Sequence, residues 1–293
     1  MPVGTYSIEA TFEDDGVFNS NSTNNSITIK SSIIASNIAR GWNSPFDYEE
    51  SFVNGSGNPL ANQYVTFIIN GKEYKVKTDA HGLARVTTSK LAIGTYDVTI
   101  INGVTGEKVT RKTTIVARLI QNKDVTMDYL DGKSFLVLVI GDDGKPVGAG
   151  EYVSMTINTW TYAVKTNENG YAIRFIGLIP GSYTMVSIYK EYTVKNKVKV
   201  NPTLKSKSVK VKKSAKKLVL KATLKWSSGK AIKGKKITFR FNGKTYYAKT
   251  NSKGVAQVTI KKSVIKKLKA GKKYTVIVKY KDEKVKPKVT VKK

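Results

Sequence analysis

The sequence predicts an all-β chain of three tandem sandwich domains preceded by part of a fourth, and three observations carry that expectation. A turn phrase recurs: Thr78-Asp79-Ala80-His81-Gly82, Thr166-Asn167-Glu168-Asn169-Gly170 and Thr250-Asn251-Ser252-Lys253-Gly254, spaced 88 and 84 residues apart. Around each copy apolar residues alternate with polar ones, the period of a strand with one buried face. A Gly-then-Tyr phrase follows each copy, at Gly94 and Tyr96, Gly181 and Tyr183, and Gly271 and Tyr274. It occurs once more at Gly4-Thr5-Tyr6, with no turn phrase before it. Tandem copies of one unit mean a string of like modules rather than one large active-site fold.

Taken in order, residues 1–31 supply only a closing hairpin: Tyr6, Ile8 and Ala10, then Ile27 and Ile29. Met1 is followed by neither a basic start nor a long apolar core, so no secretory leader is expected here. With the orphan Gly4-Thr5-Tyr6, this suggests the C-terminal piece of a longer protein. The complete repeats are expected at 32–118, 119–204 and 205–293, with short linkers that make a semi-rigid rod. Each contains an alternating strand: Val65, Phe67 and Ile69; Val153, Met155 and Ile157; Ile237, Phe239 and Phe241. Asn70-Gly71 and Asn242-Gly243 then predict tight hairpins, because both central residues of a type I′ turn need positive φ. Return strands carry Tyr74/Val76, Tyr162/Val164 and Tyr246/Ala248, and the Thr-[Asp/Asn]-x-x-Gly phrase makes the next turn. The Gly-x-Tyr phrase opens the last hairpin. The second copy departs from the pattern: Thr159-Trp160 replaces Gly71-Lys72, and Arg174 stands where Val86 and Val258 do. Tyr171, Ile173 and Phe175 hold the apolar phase there, which predicts a register shift or bulge. One short helix is expected from Ser263 to Leu268. Trp226 falls in the inward phase and is expected in the core. About seven strands per repeat indicate immunoglobulin-like sandwiches.

Particular phrases carry a family resemblance. Asp142-Asp143-Gly144-Lys145-Pro146-Val147-Gly148, with the turn and Gly-x-Tyr phrases, resembles the Ig-like repeats of adhesin-like surface proteins of methanogenic archaea. The stretches Val209–Leu218, Phe239–Tyr246 and Ile260–Leu268 resemble that family's lysine-rich C-terminal repeat. The resemblance implies an extracellular, wall-associated, non-catalytic protein; the missing Gly at Thr159 and the truncated start depart from it. The repeats are also similar to collagen-adhesin B-type modules with Lys–Asn isopeptide bonds. The acidic residue such modules place after their Gly-x-Tyr strand is not evident after Tyr96, Tyr183 or Tyr274, so no such bond is expected.

Composition mostly excludes. There is no cysteine and one histidine, His81, so zinc and thiolate chemistry are ruled out. His81 sits in a turn whose equivalents are Asn169 and Lys253, and no nucleophile motif surrounds any serine. Glu13-Asp14-Asp15-Gly16 and Asp142-Asp143-Gly144 lack the alternating oxygen spacing of a calcium loop and read as ordinary turns. No catalytic residue, cofactor or metal is expected, and no apolar run reaches the roughly 18 residues of a membrane span.

Charge is the informative property. The net charge is +30, and residues 201–293 hold 31 of the 51 basic residues and 2 of the 21 acidic ones. The lysines alternate with Leu218, Leu220, Ala222 and Leu224, and with Val285, Val289 and Val291, so they coat the outside of an ordinary core. The candidate polyanion-binding residues are Lys210, Lys212, Lys213, Lys216, Lys217, Lys221, Lys225, Lys286, Lys288 and Lys292. Only Arg240 among those 31 is an arginine, whereas base readout and bidentate phosphate clamps favour arginine. The expected partner is therefore an anionic cell-wall polymer or glycan, with proteins or glycans of another cell a further possibility. A nucleic-acid-binding protein acting through the basic domain is the alternative. Trp160 is a candidate exposed aromatic contact, and Asn21, Asn24 and Asn54 lie in glycosylation sequons.

Overall fold

A computed structural model of the chain describes residues 1–45, 48–87 and 91–293. Among these the chain is β throughout save for one short helix. It divides into two compact units, one of residues 1–118 with 140–147, the other of residues 119–139 with 148–293.

In the first unit, β1 (Gly4–Phe12) and β2 (Asn21–Ile29) pair antiparallel as an isolated two-stranded sheet. Its Ile8, Phe12 and Ile27 are exposed. A sandwich follows, built from β3 (Ile33–Ile34), β4 (Ile38–Gly41), β5 (Tyr48–Phe52), β6 (Tyr64–Ile69), β7 (Lys72–Lys77), β8 (Leu83–Val86), β9 (Gly94–Asn102) and β10 (Lys108–Val116). One sheet has the order β3-β5-β8 and the other β4-β10-β9-β6-β7, with β4 parallel to β10. The first strand is thus shared between two sheets, which closes the sandwich at one edge. Period-2 alternation does the rest. Val65, Phe67, Ile69, Val98 and Ile100 from one sheet meet Phe52, Ala84 and Val86 from the other, all within 3% of complete burial, and the Phe52 and Phe67 rings meet edge to face at 6.3 Å.

The second unit repeats this plan twice. Strands β11 (Leu119–Ile120), β12 (Val125–Asp128), β13 (Ser134–Val139), β14 (Tyr152–Ile157), β15 (Trp160–Lys165), β16 (Tyr171–Phe175), β17 (Gly181–Tyr189) and β18 (Tyr192–Asn201) form sheets β11-β13-β16 and β12-β18-β17-β14-β15. Then come β19 (Leu204–Lys205), β20 (Val209–Lys212), β21 (Lys217–Leu224), β22 (Lys236–Phe241), β23 (Lys244–Lys249), β24 (Val255–Lys261), α1 (Lys262–Ile265), β25 (Lys273–Tyr280), β26 (Glu283–Val285) and β27 (Lys288–Lys292). They form sheets β19-β21-β24 and β20-β27-β25-β22-β23, with β26 on β25. The architecture is that of tandem immunoglobulin-like sandwiches. The helix overlaps the expected segment but runs from Lys262 to Ile265 and buries Ile265; Leu268 is buried beyond its end.

The repeated turn phrase has the same bonding in every copy. The buried hydroxyls of Thr78, Thr166 and Thr250 donate to the carbonyls of Leu60, Gly148 and Ile232 and accept from the amides of Gln63, Glu151 and Lys235. Each following Asp or Asn accepts two amides ahead of it, as Asn251 does from Lys253 and Val255. Gly254 closes the turn at φ +73°, with the carbonyl of Leu224 filling the space a Cβ would need. The Gly-x-Tyr phrase is a tyrosine corner. The hydroxyls of Tyr6, Tyr96 and Tyr183 donate to the carbonyls four residues upstream, of Pro2, Ala92 and Ile179. That of Tyr274 accepts instead from the amide of Lys269.

Two expectations fail. The second copy has no register shift or bulge: Ser134 to Leu138 pair without interruption with Phe175 to Tyr171. Arg174 takes the inward phase because its guanidinium stacks on the Tyr162 ring, 3.6 Å from the centroid. Ile173 and Phe175 are left about half exposed on the outer face. Trp226 is half-buried rather than core, because β21 ends at Leu224 and Trp226 begins a turn closed by Gly229.

Within each unit, one repeat's first-strand end meets the next repeat's turn. In the first, the Gly41 amide donates to the Asp142 carbonyl and the fully buried Arg118 donates to Trp42, Ile140 and Asp142. In the second, Asp128 accepts the amide and hydroxyl of Ser227, and Tyr129 accepts the Asp282 amide and meets the Tyr280 ring edge to face. Burial works against the Asp128 carboxylate, but hydrogen bonds from Ser227 and Asn201 hold its pKa below the usual range.

Candidate polyanion-binding faces

Every lysine after residue 200 is exposed, including the ten expected from the sequence. Alternation sends them to the outer faces of both sheets. On the small sheet, Lys217, Lys221 and Lys205 point outward, and Lys217 stands directly across the ladder from Lys261. On the large sheet, Lys210, Lys212, Lys273, Lys279, Lys288, Lys292, Lys236 and Lys249 share the outer face with Arg240. Lys236 faces Lys249, Lys279 faces Lys284, and Lys212 lies beside Lys292 on parallel strands. Like charges directly opposite on antiparallel strands destabilise a sheet. Lys213, Lys216, Lys225 and Lys286 lie outside the strands, also exposed, so the structure spreads the ten candidates over both faces rather than gathering them in one place.

One exposed carboxylate, Asp282 beside Lys281, lies within this charge. Among the described residues no lysine after 200 forms an ion pair; those found are Arg85–Glu49, Arg111–Glu50, Lys112–Asp97 and Arg118–Asp142, all in the first unit. Of the two acidic residues in the basic domain, Glu283 is buried and accepts from the Thr203 amide and hydroxyl and the Leu204 amide.

One position separates the last repeat from the others. Gly41, Asp128 and Lys212 each end the strand that runs parallel to the last strand of its sandwich. Gly41-Trp42 and Asp128-Tyr129 receive a neighbouring turn, whereas their counterparts Lys212-Lys213 are both exposed.

The other candidates are dispersed. Trp160 starts β15, pairs with Ile157 and is 65% exposed. Asn21 and Asn24 are exposed on β2; Asn54 is exposed, but its side-chain oxygen accepts the amides of Ser56 and Asn58. His81 is exposed and donates its amide to Asp79. Among the described residues no group of three or more His, Asp or Glu could hold a metal ion, and no helix is long and apolar enough to cross a membrane. Lys235, Lys236, Lys279, Lys281 and Tyr247 belong to the basic surface although the sequence reading did not single them out. Tyr246 and Ala248 take the inward phase, and that alternation places Tyr247 outward.

No protein-family description and no curated protein matches this chain. Similarity lies with solved structures. A titin tandem is 11% identical with a TM-score of 0.41, covering 89% of this chain and 98% of that one. A calcium-stabilised adhesin with which an Antarctic bacterium binds ice is 15% identical with a TM-score of 0.27, covering 98% of this chain and 81% of that one. Invasin, a bacterial integrin-binding protein, is 14% identical with a TM-score of 0.25, covering 90% and 60%. At such scores these likenesses bear on neither ligand nor activity.

Proposed function

We propose that this chain is a non-catalytic, extracellular adhesin or stalk protein of the methanogen surface type. Its immunoglobulin-like repeats, bounded at 31/32, 118/119 and 204/205, act as spacers. The repeat of residues 205–293 attaches electrostatically to an anionic cell-wall polymer. The observation that carries this reading is uncompensated charge: the last sandwich sets Lys217 against Lys261 and Lys236 against Lys249 with no carboxylate paired to any of them. Solubility alone does not require like charges face to face, since alternating signs solvate a sheet as well.

Such a field extends about 8 Å at physiological salt and is weakened by added salt. Co-sedimentation of the full chain with isolated archaeal walls tests the proposal. Binding at low salt that disappears at high salt is expected; no binding at low salt overturns it. A nucleic-acid-binding protein is the competing reading. Net charge favours it, and the 30 lysines to one arginine disfavour it. Competition of bound wall by duplex DNA separates the two.

A further inference from the structure

Among the clefts on the basic repeat, one has a lining unlike that of the same place in the other repeats. A cleft of about 590 Å³ lies between β22, β23 and the β25–β26 hairpin, lined by Lys235, Lys236, Thr238, Tyr247, Lys279, Tyr280, Lys281 and Gly234. That volume is within the range of small-ligand sites. The ladder sets its geometry: Thr238 pairs with Tyr247 on one side and Lys279 on the other, and Lys236 is two residues away on the same face. Tyr247 is 58% exposed, and the Lys236 ammonium sits over its ring, 4.0 Å from the centroid. This cation–π contact holds the ammonium in place while leaving its N–H groups available to an anion. No acidic residue lines the cleft.

Strand register identifies the equivalent residues. Where the last repeat has Lys235, Lys236, Tyr247 and Lys279, the first has Gln63, Tyr64, Lys75 and Ile101, and the second has Glu151, Tyr152, Ala163 and Ile188. Each repeat has an exposed tyrosine on this face, but Tyr64 and Tyr152 stand where Lys236 does, and Tyr247 stands where Lys75 and Ala163 do. In the first repeat the Lys75 ammonium lies over the Tyr64 ring at 5.3 Å, the same contact with its two strands exchanged, whereas Lys235 and Lys279 have no lysine counterpart in either earlier repeat. The common scaffold accounts for a lysine–tyrosine contact but not for Lys235 and Lys279.

We infer that the Tyr247 cleft is a binding subsite for an acidic polysaccharide, with the tyrosine contacting a sugar ring and Lys236, Lys279, Lys235 and Lys281 taking its carboxylate, phosphate or sulfate groups. The inference rests on the wall-attachment reading and names where on that surface the polymer is held. Aromatic rings present flat apolar surface with a polar tip, suited to the mixed surface of a sugar. Lysines suit anionic groups whose orientation along a flexible polymer is not fixed, because an ammonium is a point charge without a rigid fork. At one end of the small sheet's outer face, Lys217 and Lys261 stand on a ladder with Gln257 and Thr259 and no aromatic residue; a smaller cleft, of about 370 Å³, lies at the other end beside Lys205, Lys225 and Trp226.

The experiment measures binding of the full chain to polygalacturonate, polyphosphate, duplex DNA and neutral dextran at low salt, for wild type, K236A/K279A, K217A/K261A and Y247A. Thermal unfolding checks that each variant is folded. Both lysine pairs remove two charges, so a diffuse field predicts equal effects. Expected is a loss of polygalacturonate affinity of about tenfold for K236A/K279A, against about threefold or less for K217A/K261A. Y247A is expected to weaken polygalacturonate binding while leaving polyphosphate binding unchanged. Equal losses for the two lysine pairs, or an unaltered polygalacturonate preference in Y247A, overturn the subsite while leaving wall attachment standing. Tighter binding to DNA than to polygalacturonate overturns the subsite in favour of a nucleic acid. No binding to any polyanion overturns the wall-attachment reading itself.

Discussion

Arg118 is completely buried, and its Nη2 donates to Asp142 Oδ1 at 2.5 Å while Nε donates to the Trp42 carbonyl at 2.6 Å. The two residues differ in setting: the Asp142 side chain remains 45% accessible. Removing the arginine therefore lets the carboxylate rehydrate but leaves the buried Ile140 carbonyl and the part-buried Trp42 carbonyl without their donor. Removing the carboxylate charge leaves a guanidinium that water cannot reach. Both R118A and D142N are expected to destabilise the first unit, by about 2–4 kcal/mol. Denaturant unfolding followed by Trp42 fluorescence measures it. Equal stability in R118M, which keeps packing without charge, is the outcome that would show the pair contributes nothing net.

The hydroxyl of the turn phrase offers a cleaner comparison, because it occurs three times with identical partners. Thr250→Val keeps the shape of the side chain but leaves the Ile232 carbonyl and the Lys235 amide without their shared partner. A cost of about 1–3 kcal/mol is expected, with similar values at Thr78 and Thr166. Calorimetry of the three single variants checks whether the cost is a property of the turn or of its copy.

How much of this was legible in the sequence follows from the physics of each feature. The turn phrase and the alternation identified strands and faces because both are local: an Asn-Gly dipeptide needs its φ values wherever it stands, and period 2 assigns Tyr246 inward and Tyr247 outward. The failure at Arg174 has the same origin. Its charge suggested that the phase had to change, yet a guanidinium can occupy an inward position when a ring such as Tyr162 lies beneath it, and that pairing belongs to a different strand. The cleft was likewise hidden, because Lys236, Tyr247 and Lys279 come from three strands and meet only through register.

Tyrosine corners give a third test. Tyr183→Phe frees a carbonyl at a half-exposed site, which water can satisfy, whereas Tyr274→Phe frees the Lys269 amide. Each is expected to lose about 0.5–1.5 kcal/mol. Hydrogen exchange at the Lys269 amide should accelerate in Tyr274→Phe; unchanged exchange there would contradict the bond.

Stability of the first unit should also depend on pH. Burial pushes the Glu50 carboxyl up to about 7 from an ordinary 4.5, despite the opposing pull of Arg111. Between those values the folded chain holds a proton that the unfolded chain has released, so stability falls as pH rises. The contribution is fully present below about pH 4.5 and is lost on passing through about pH 7, amounting to about 1–3 kcal/mol. Glu50→Gln should flatten that part of the stability–pH curve. An unchanged slope would assign it to other groups.

The facing lysines supply the most decisive experiment, because stability and binding should move in opposite directions. Lys249 stands opposite Lys236, and Lys261 opposite Lys217. Lys249→Glu and Lys261→Glu each turn a cross-strand repulsion into an attraction. Each should therefore stabilise the last sandwich, by about 0.2–1 kcal/mol. Selection for stability alone would favour such exchanges, so the lysines' presence requires another reason. If that reason is a polyanion held beside Tyr247, Lys249→Glu should bind polygalacturonate several-fold more weakly, since it draws the Lys236 ammonium away from the ligand. Lys261→Glu, on the other sheet, should change binding much less. Thermal unfolding and a salt-titrated binding curve on the same two proteins provide the measurement. Stabilisation in both with undiminished binding in both would mean that the lysines solvate the sheet and do nothing more.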